Sequence, residues 1–154
     1  MLEIRKPKSS ILSIENRNLF FFEAKGFSMW PFLKGNERLI VKKTPLSYLT
    51  PGDLILYSAG PHSGAGKQLI CHRLIRKPEG KSRCLFYTRA DASLGAERVT
   101  EEMFLGKVIG IIDNNKLISY DTIKYKLINK AALAIAPLIA LAIKIYLVLF
   151  KKGK

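Results

Sequence analysis

The chain is short of acidic residues, cysteine and histidine, and each shortage narrows its chemistry. Of 154 residues only 12 are Asp or Glu against 26 Lys or Arg, a formal net charge of +14. So cationic a surface points to an anionic partner: lipid head groups, nucleic acid or an acidic peptide. Two cysteines, Cys71 and Cys84, make no disulfide framework, and free thiols in a reducing compartment are the default. With His72 they fit no finger spacing, and adjacent residues on a strand point to opposite faces, so neither a metal site nor a cofactor is expected. Residues 1–10 are basic, but no apolar run of useful length follows, so a secretory signal is not expected. The Leu19-Phe20-Phe21-Phe22 run is too short to span a membrane. There is no internal repeat and no low-complexity tract.

What is present is an ordinary globular composition, 48% apolar and 25% charged, enough for one domain with an appendage. Turn signals separate several short apolar stretches. Residues 19–22, 38–43, 54–57, 68–76, 83–89, 107–112 and 117–120 read as strands. Pro45, Pro51-Gly52-Asp53 and Asp113-Asn114-Asn115 read as turns, and 60–66 as a hairpin loop carrying His62. Residues 10–15 suit one or two helical turns. The expected division is an N-terminal arm (1–17), a mainly β domain (18–120) and a basic, hydrophobic C-terminal helix (121–154).

Within that last segment, residues 131–150 are almost wholly apolar. As a helix they rise ~30 Å, about one hydrocarbon thickness. Lys151, Lys152 and Lys154 close the run as basic residues at a head-group interface do. Pro137 interrupts it, and Lys144 sits near its C-terminal end, where the long stem can snorkel outward. We expect a membrane anchor with anionic lipid as partner, inserted after synthesis, and the β domain on the cytoplasmic face. Basic residues flank both ends, so the positive-inside rule does not fix the orientation. A helix packed on the β domain is the alternative.

The chemistry is concentrated in Gly26-Phe27-Ser28-Met29-Trp30-Pro31. Gly26 permits backbone angles closed to other residues and Pro31 fixes φ, so Ser28 is held in a turn that can present its hydroxyl outward. A serine nucleophile needs a base. His62 lies in a Gly/Ser-rich loop and reads as solvated. His72 lies on Leu69-Ile70-Cys71-His72-Arg73-Leu74-Ile75, where alternation groups it with Ile70 and Leu74. A histidine among buried neighbours must find a partner or stay neutral, and a neutral imidazole is what a general base must be. Asp91, in Thr88-Arg89-Ala90-Asp91, ends a strand and either caps its turn, steers the histidine or organises the floor of the site. Glu97 is a second candidate carboxylate.

The order of these stretches, Gly-x-Ser-Met-x-Pro, Pro51-Gly52-Asp53-Leu54-Ile55-Leu56-Tyr57, His72-Arg73, Thr88-Arg89-Ala90-Asp91 and Gly106-Lys107-Val108-Ile109-Gly110, resembles the type I signal peptidase superfamily, which also contains the self-cleaving SOS repressors. The resemblance covers about residues 25–112. It implies a coiled β-sheet domain and a serine endopeptidase that removes a signal or leader peptide from a precursor. It also implies roles: Ser28 as nucleophile, His72 as general base as in the archaeal and endoplasmic-reticulum branch, Asp91 as that branch's aspartate, and Glu97 near its second acidic position. Met29 and Pro31 match residues that shape the nucleophile turn. Where many bacterial members carry a hydroxyl as oxyanion donor, this chain has Gly26, which leaves more of that work to the Ser28 N–H. The glycine that usually precedes the aspartate is Ala90 here. The hydrophobic segment lies at the C-terminal end rather than the N-terminal one. The small stand-alone members beside peptide-maturation systems look most similar. A non-catalytic peptide-binding or scaffold protein on the same fold is the alternative. Nucleic acid is not the expected partner, because no helix-turn-helix precedes the β domain and much of the charge flanks the apolar tail.

Overall fold

The computed structural model describes residues 18–60, 68–77 and 85–151. The N-terminal arm with its 10–15 turns, His62 and Cys84 lie outside the described residues. The strands are β1 (Leu19–Glu23), β2 (Arg38–Lys42), β3 (Leu54–Ala59), β4 (Gln68–Arg76), β5 (Leu85–Arg89), β6 (Ala96–Thr100), β7 (Phe104–Asp113) and β8 (Lys116–Ser119), followed by one helix, α1 (Ile123–Lys151). All pairings are antiparallel, in the order β1-β2-β7-β3-β4-β5-β6, with β8 also on β7. The expected mainly β domain with a C-terminal hydrophobic helix is what forms.

Alternation explains how one sheet carries two cores. On β3, Leu54 and Leu56 join Leu39, Val41, Val108 and Met29 on one face. Ile55 and Tyr57 join Leu74, Phe86 and Val99 on the other. Register slips at Ile40/Val41, Leu56/Tyr57 and Leu74/Arg76 bend the strands, as bulges do. The Asn114-Asn115 hairpin has φ of 47° and 62°, the positive pair that a two-residue primed turn requires. At Gly106 any Cβ would lie 2.7 Å from the Lys42 carbonyl oxygen, so the β2–β7 approach requires glycine there.

The sequence reading did not foresee β6. Only Val99 of its five residues is buried, so the strand exists through its pairing with β5 rather than through an apolar pattern of its own. The charged and apolar halves of the tail form one continuous helix that runs through Pro137. Thr122 caps it: its hydroxyl oxygen accepts from Tyr125 N–H at 3.4 Å. Tyr125 stacks near Tyr120, Asn129 meets Arg73 of β4, and the Leu133 carbonyl accepts from Arg89 of β5 at 3.3 Å. α1 is long and apolar enough to cross a membrane.

Candidate active site

The loop carrying Ser28 is closed by glycines and anchored by a carboxylate. Gly26 and Gly35 have φ of +87° and +92°, and a Cβ on Gly35 would fall 2.2 Å from the Gly26 carbonyl oxygen. No other residue fits where these two backbones touch. Glu37 is buried, and its carboxylate accepts from the N–H groups of Lys34 (2.6 Å), Gly35 (2.8 Å) and Asn36 (3.1 Å). Met29 and Leu33 sink into the core, while Ser28 stays exposed between them and Gly26. The Trp30–Pro31 peptide is cis. The Ser28 carbonyl accepts from Ala92 N–H at 2.9 Å. Among the described residues the Ser28 N–H has no hydrogen-bond partner, so it is an available oxyanion donor.

Strand register assembles the surroundings of His72. Ile55 pairs with His72, so Tyr57, two residues along β3, lies diagonally across on the same face. Leu74 pairs with Thr88, and Thr88 pairs with Glu97. Tyr57, His72, Thr88 and Glu97, from four successive strands, therefore share one face. His72 is 6% exposed. The Tyr57 hydroxyl lies 3.0 Å from His72 Nδ1 and donates a hydrogen bond to Glu97 Oε2, which itself lies 3.4 Å from Nδ1. Burial holds the imidazole below its ordinary value, and the carboxylates of Glu97 and, more weakly, Asp91 pull it partly back up. A neutral ring is thus the resting state near neutral pH.

Asp91 meets a different residue. Its two oxygens accept from Arg73 Nε at 2.8 Å and Nη2 at 2.6 Å, a buried bidentate pair. The guanidinium also donates to the Gly52 carbonyl (2.9 Å) and to Asn129 Oδ1 of α1 (3.0 Å), and stacks over Phe32 of the Ser28 loop. Asp91 organises the floor of the site: the Ala92 N–H just after it holds the Ser28 carbonyl. Among the described residues no hydrogen bond joins it to His72. Glu97, read as the accessory acid, is the carboxylate at the histidine.

Ser28 and His72 line the same cleft of about 320 Å³, together with Gly26 and Met29; Pro31 does not line it. Among the described residues no hydrogen bond joins the Ser28 hydroxyl to the imidazole. All of residues 68–72 line the cleft. A strand that presented one face would contribute every second residue; consecutive residues mean that its edge borders the space. β5 pairs only with Arg73–Arg76 of β4, so among the described residues this edge carries no partner strand. Cys71 points to the opposite face from His72, and burial pushes its thiol up to about 12, which keeps it an inert thiol. No group of three His, Cys, Asp or Glu among the described residues could hold a metal ion.

Three of these partners were not singled out from sequence. Glu37 drew no reading, Arg73 entered only as the neighbour of His72 on its strand, and Tyr57 read as an apolar strand residue. Tyr57 was findable by pairing 54–57 with 68–76 in antiparallel register.

No protein-family model, no curated protein and no solved structure matches the chain.

Proposed function

We propose that the chain is a serine endopeptidase of the signal-peptidase type that cleaves a signal or leader peptide from a precursor. The observation that carries this reading is that Ser28, on a loop built to hold it exposed, and His72, buried and neutral, line one cleft. An extended peptide adds as a strand to the 68–72 edge, which carries no partner strand among the described residues, with small side chains beside the scissile bond. As the cleft tightens, Ser28 Oγ attacks the carbonyl carbon and its proton passes to His72. The carbonyl π electrons become an oxyanion facing the Ser28 N–H. Collapse breaks the C–N bond, His72 returns the proton to the leaving amine, and water then hydrolyses the acyl-enzyme by the same route. α1 anchors the enzyme in an anionic membrane, with the β domain on the cytoplasmic face.

The missing Ser28–His72 hydrogen bond favours a second reading, a non-catalytic peptide-binding or scaffold protein on the same frame. One experiment separates them. The purified full-length chain is treated with a fluorophosphonate probe and assayed on a library of extended peptides, beside its Ser28→Ala variant. The peptidase reading expects the probe on Ser28 and a loss on the order of 10⁴-fold or more in the variant. Cleavage that survives in Ser28→Ala, or a wild type that takes up no probe and cleaves nothing, rejects it.

A further inference from the structure

Hydrogen-bond accounting at Tyr57 says more about His72 than burial does. A phenol has one proton and can accept through its lone pairs. Among the described residues three polar groups meet the Tyr57 oxygen: Glu97 Oε2, His72 Nδ1 at 3.0 Å and Thr88 Oγ1 at 3.4 Å. An ionised carboxylate only accepts, so the phenol proton goes to Glu97. Burial, aided by Glu97, also pushes the phenol well above its ordinary value, so the proton stays on oxygen. The Tyr57 oxygen is then purely an acceptor toward its other neighbours. Thr88 donates to it, and Nδ1 can meet it only as a donor.

We propose that Tyr57 is a positioning residue that fixes His72 as the Nδ1–H tautomer and leaves the Nε2 lone pair as the proton acceptor. The part concerning Ser28 rests on the peptidase reading; the tautomer does not. Water favours the Nε2–H form of a free histidine, so the protein imposes the less common one. When His72 takes a proton at Nε2, its new charge is met by the Nδ1–H···Oη contact and, one bond further, by the Glu97 carboxylate. Glu97 is half exposed and Tyr57 is buried, so the tyrosine is the part of this chain fixed by the core. The other titratable and charged groups around the ring are Cys71 and Arg73 beside it on β4, Asp91 beyond Arg73, and Lys25 on the cleft. Among the described residues only Tyr57 and Glu97 reach Nδ1.

The test is nitrogen NMR on the full-length chain in detergent with ¹⁵N-labelled histidine. The chain has two histidines, so His62→Gln assigns the signals. At pH 8 the proposal expects His72 with its proton on Nδ1. A proton on Nε2, or an imidazolium, overturns it. In Glu97→Leu the acceptor is gone, the phenol turns its proton to Nδ1, and the ring should switch to Nε2–H. In Tyr57→Phe the tautomer preference should fade and kcat should fall about a hundredfold with little change in KM, the low end of what a placed base contributes. An unchanged tautomer in both variants overturns the proposal. Should the buried Tyr57→Phe change fail to fold, the wild-type spectrum and the half-exposed Glu97→Leu variant still decide. A chain that Ser28→Ala shows to be no peptidase would leave the tautomer result standing.

Discussion

Two carboxylates flank β5, and the chain uses them for different ends. Asp91 is 1% exposed and locked to Arg73 by two hydrogen bonds; Glu97 has half its side chain in solvent and reaches His72 through Tyr57. The cause is strand alternation. His72 and Arg73 are neighbours in sequence, so they face opposite sides of β4, and an acid on each side meets only one of them. The Arg73 side also holds the Ser28 loop and α1. The His72 side holds the second core. The cleft forms where the two sides meet, at the edge of β4 that carries no partner strand among the described residues. The buried acid, bonded twice to Arg73, builds the frame, and the half-exposed one sits beside the histidine.

The sharpest way to break this comparison is to remove each acid in turn. Asp91→Ala strands a buried guanidinium and frees the turn that holds the Ser28 carbonyl. We expect a loss of about 3–5 kcal/mol in denaturant unfolding of the full chain in detergent, the usual cost of breaking a buried pair from one side. Glu97→Ala should stay within about 0.5 kcal/mol, since its side chain is half solvated. Similar losses at both positions would erase the distinction.

A smaller effect tests whether α1 belongs to the Asp91 side. Asn129→Ala removes one of two acceptors on Arg73 Nη1 and leaves Gly52 O. The expected cost is about 1.5 kcal/mol, near that of a hydrogen bond to a charged group. It should be nearly absent when Asp91→Ala has already been made, because contacting residues couple. A double-mutant cycle read by the same unfolding assay checks both statements; full additivity would separate the helix from the Arg73 cluster.

How much of this was legible depended on whether a signal was local. Strands with their own apolar residues, such as Leu54-Ile55-Leu56-Tyr57, could be read directly, as could the Asn114-Asn115 turn and the apolar α1. β6 could not, because Ala96-Glu97-Arg98-Val99-Thr100 becomes a strand through its pairing with β5. The Gly26–Pro31 turn was visible as a turn, but not Glu37, whose role is to collect three N–H groups of that loop. Asp91 and Glu97 were both visible as candidates. Which of them met the histidine was set by the register of four strands, which no single stretch encodes.

The mildest change probes charge alone at the histidine. Glu97→Gln keeps an acceptor for the Tyr57 proton and removes the negative charge that raises His72. Burial already holds His72 below its ordinary 6.5, so the native chain binds fewer protons than the unfolded one there. The stability gained by keeping the ring neutral is fully present above about pH 6.5 and is lost as pH falls from there toward the lower native value. Without the Glu97 charge that native value drops further. The window of loss widens on its acid side, and the variant loses more stability in acid while matching the wild type at pH 8. The same shift should move the acid limb of kcat/KM to lower pH. Unfolding free energy and kcat/KM measured from pH 8 down to pH 4.5 check this. An acid limb that moves upward, or two curves that coincide, would mean that the Glu97 charge is not felt at the ring.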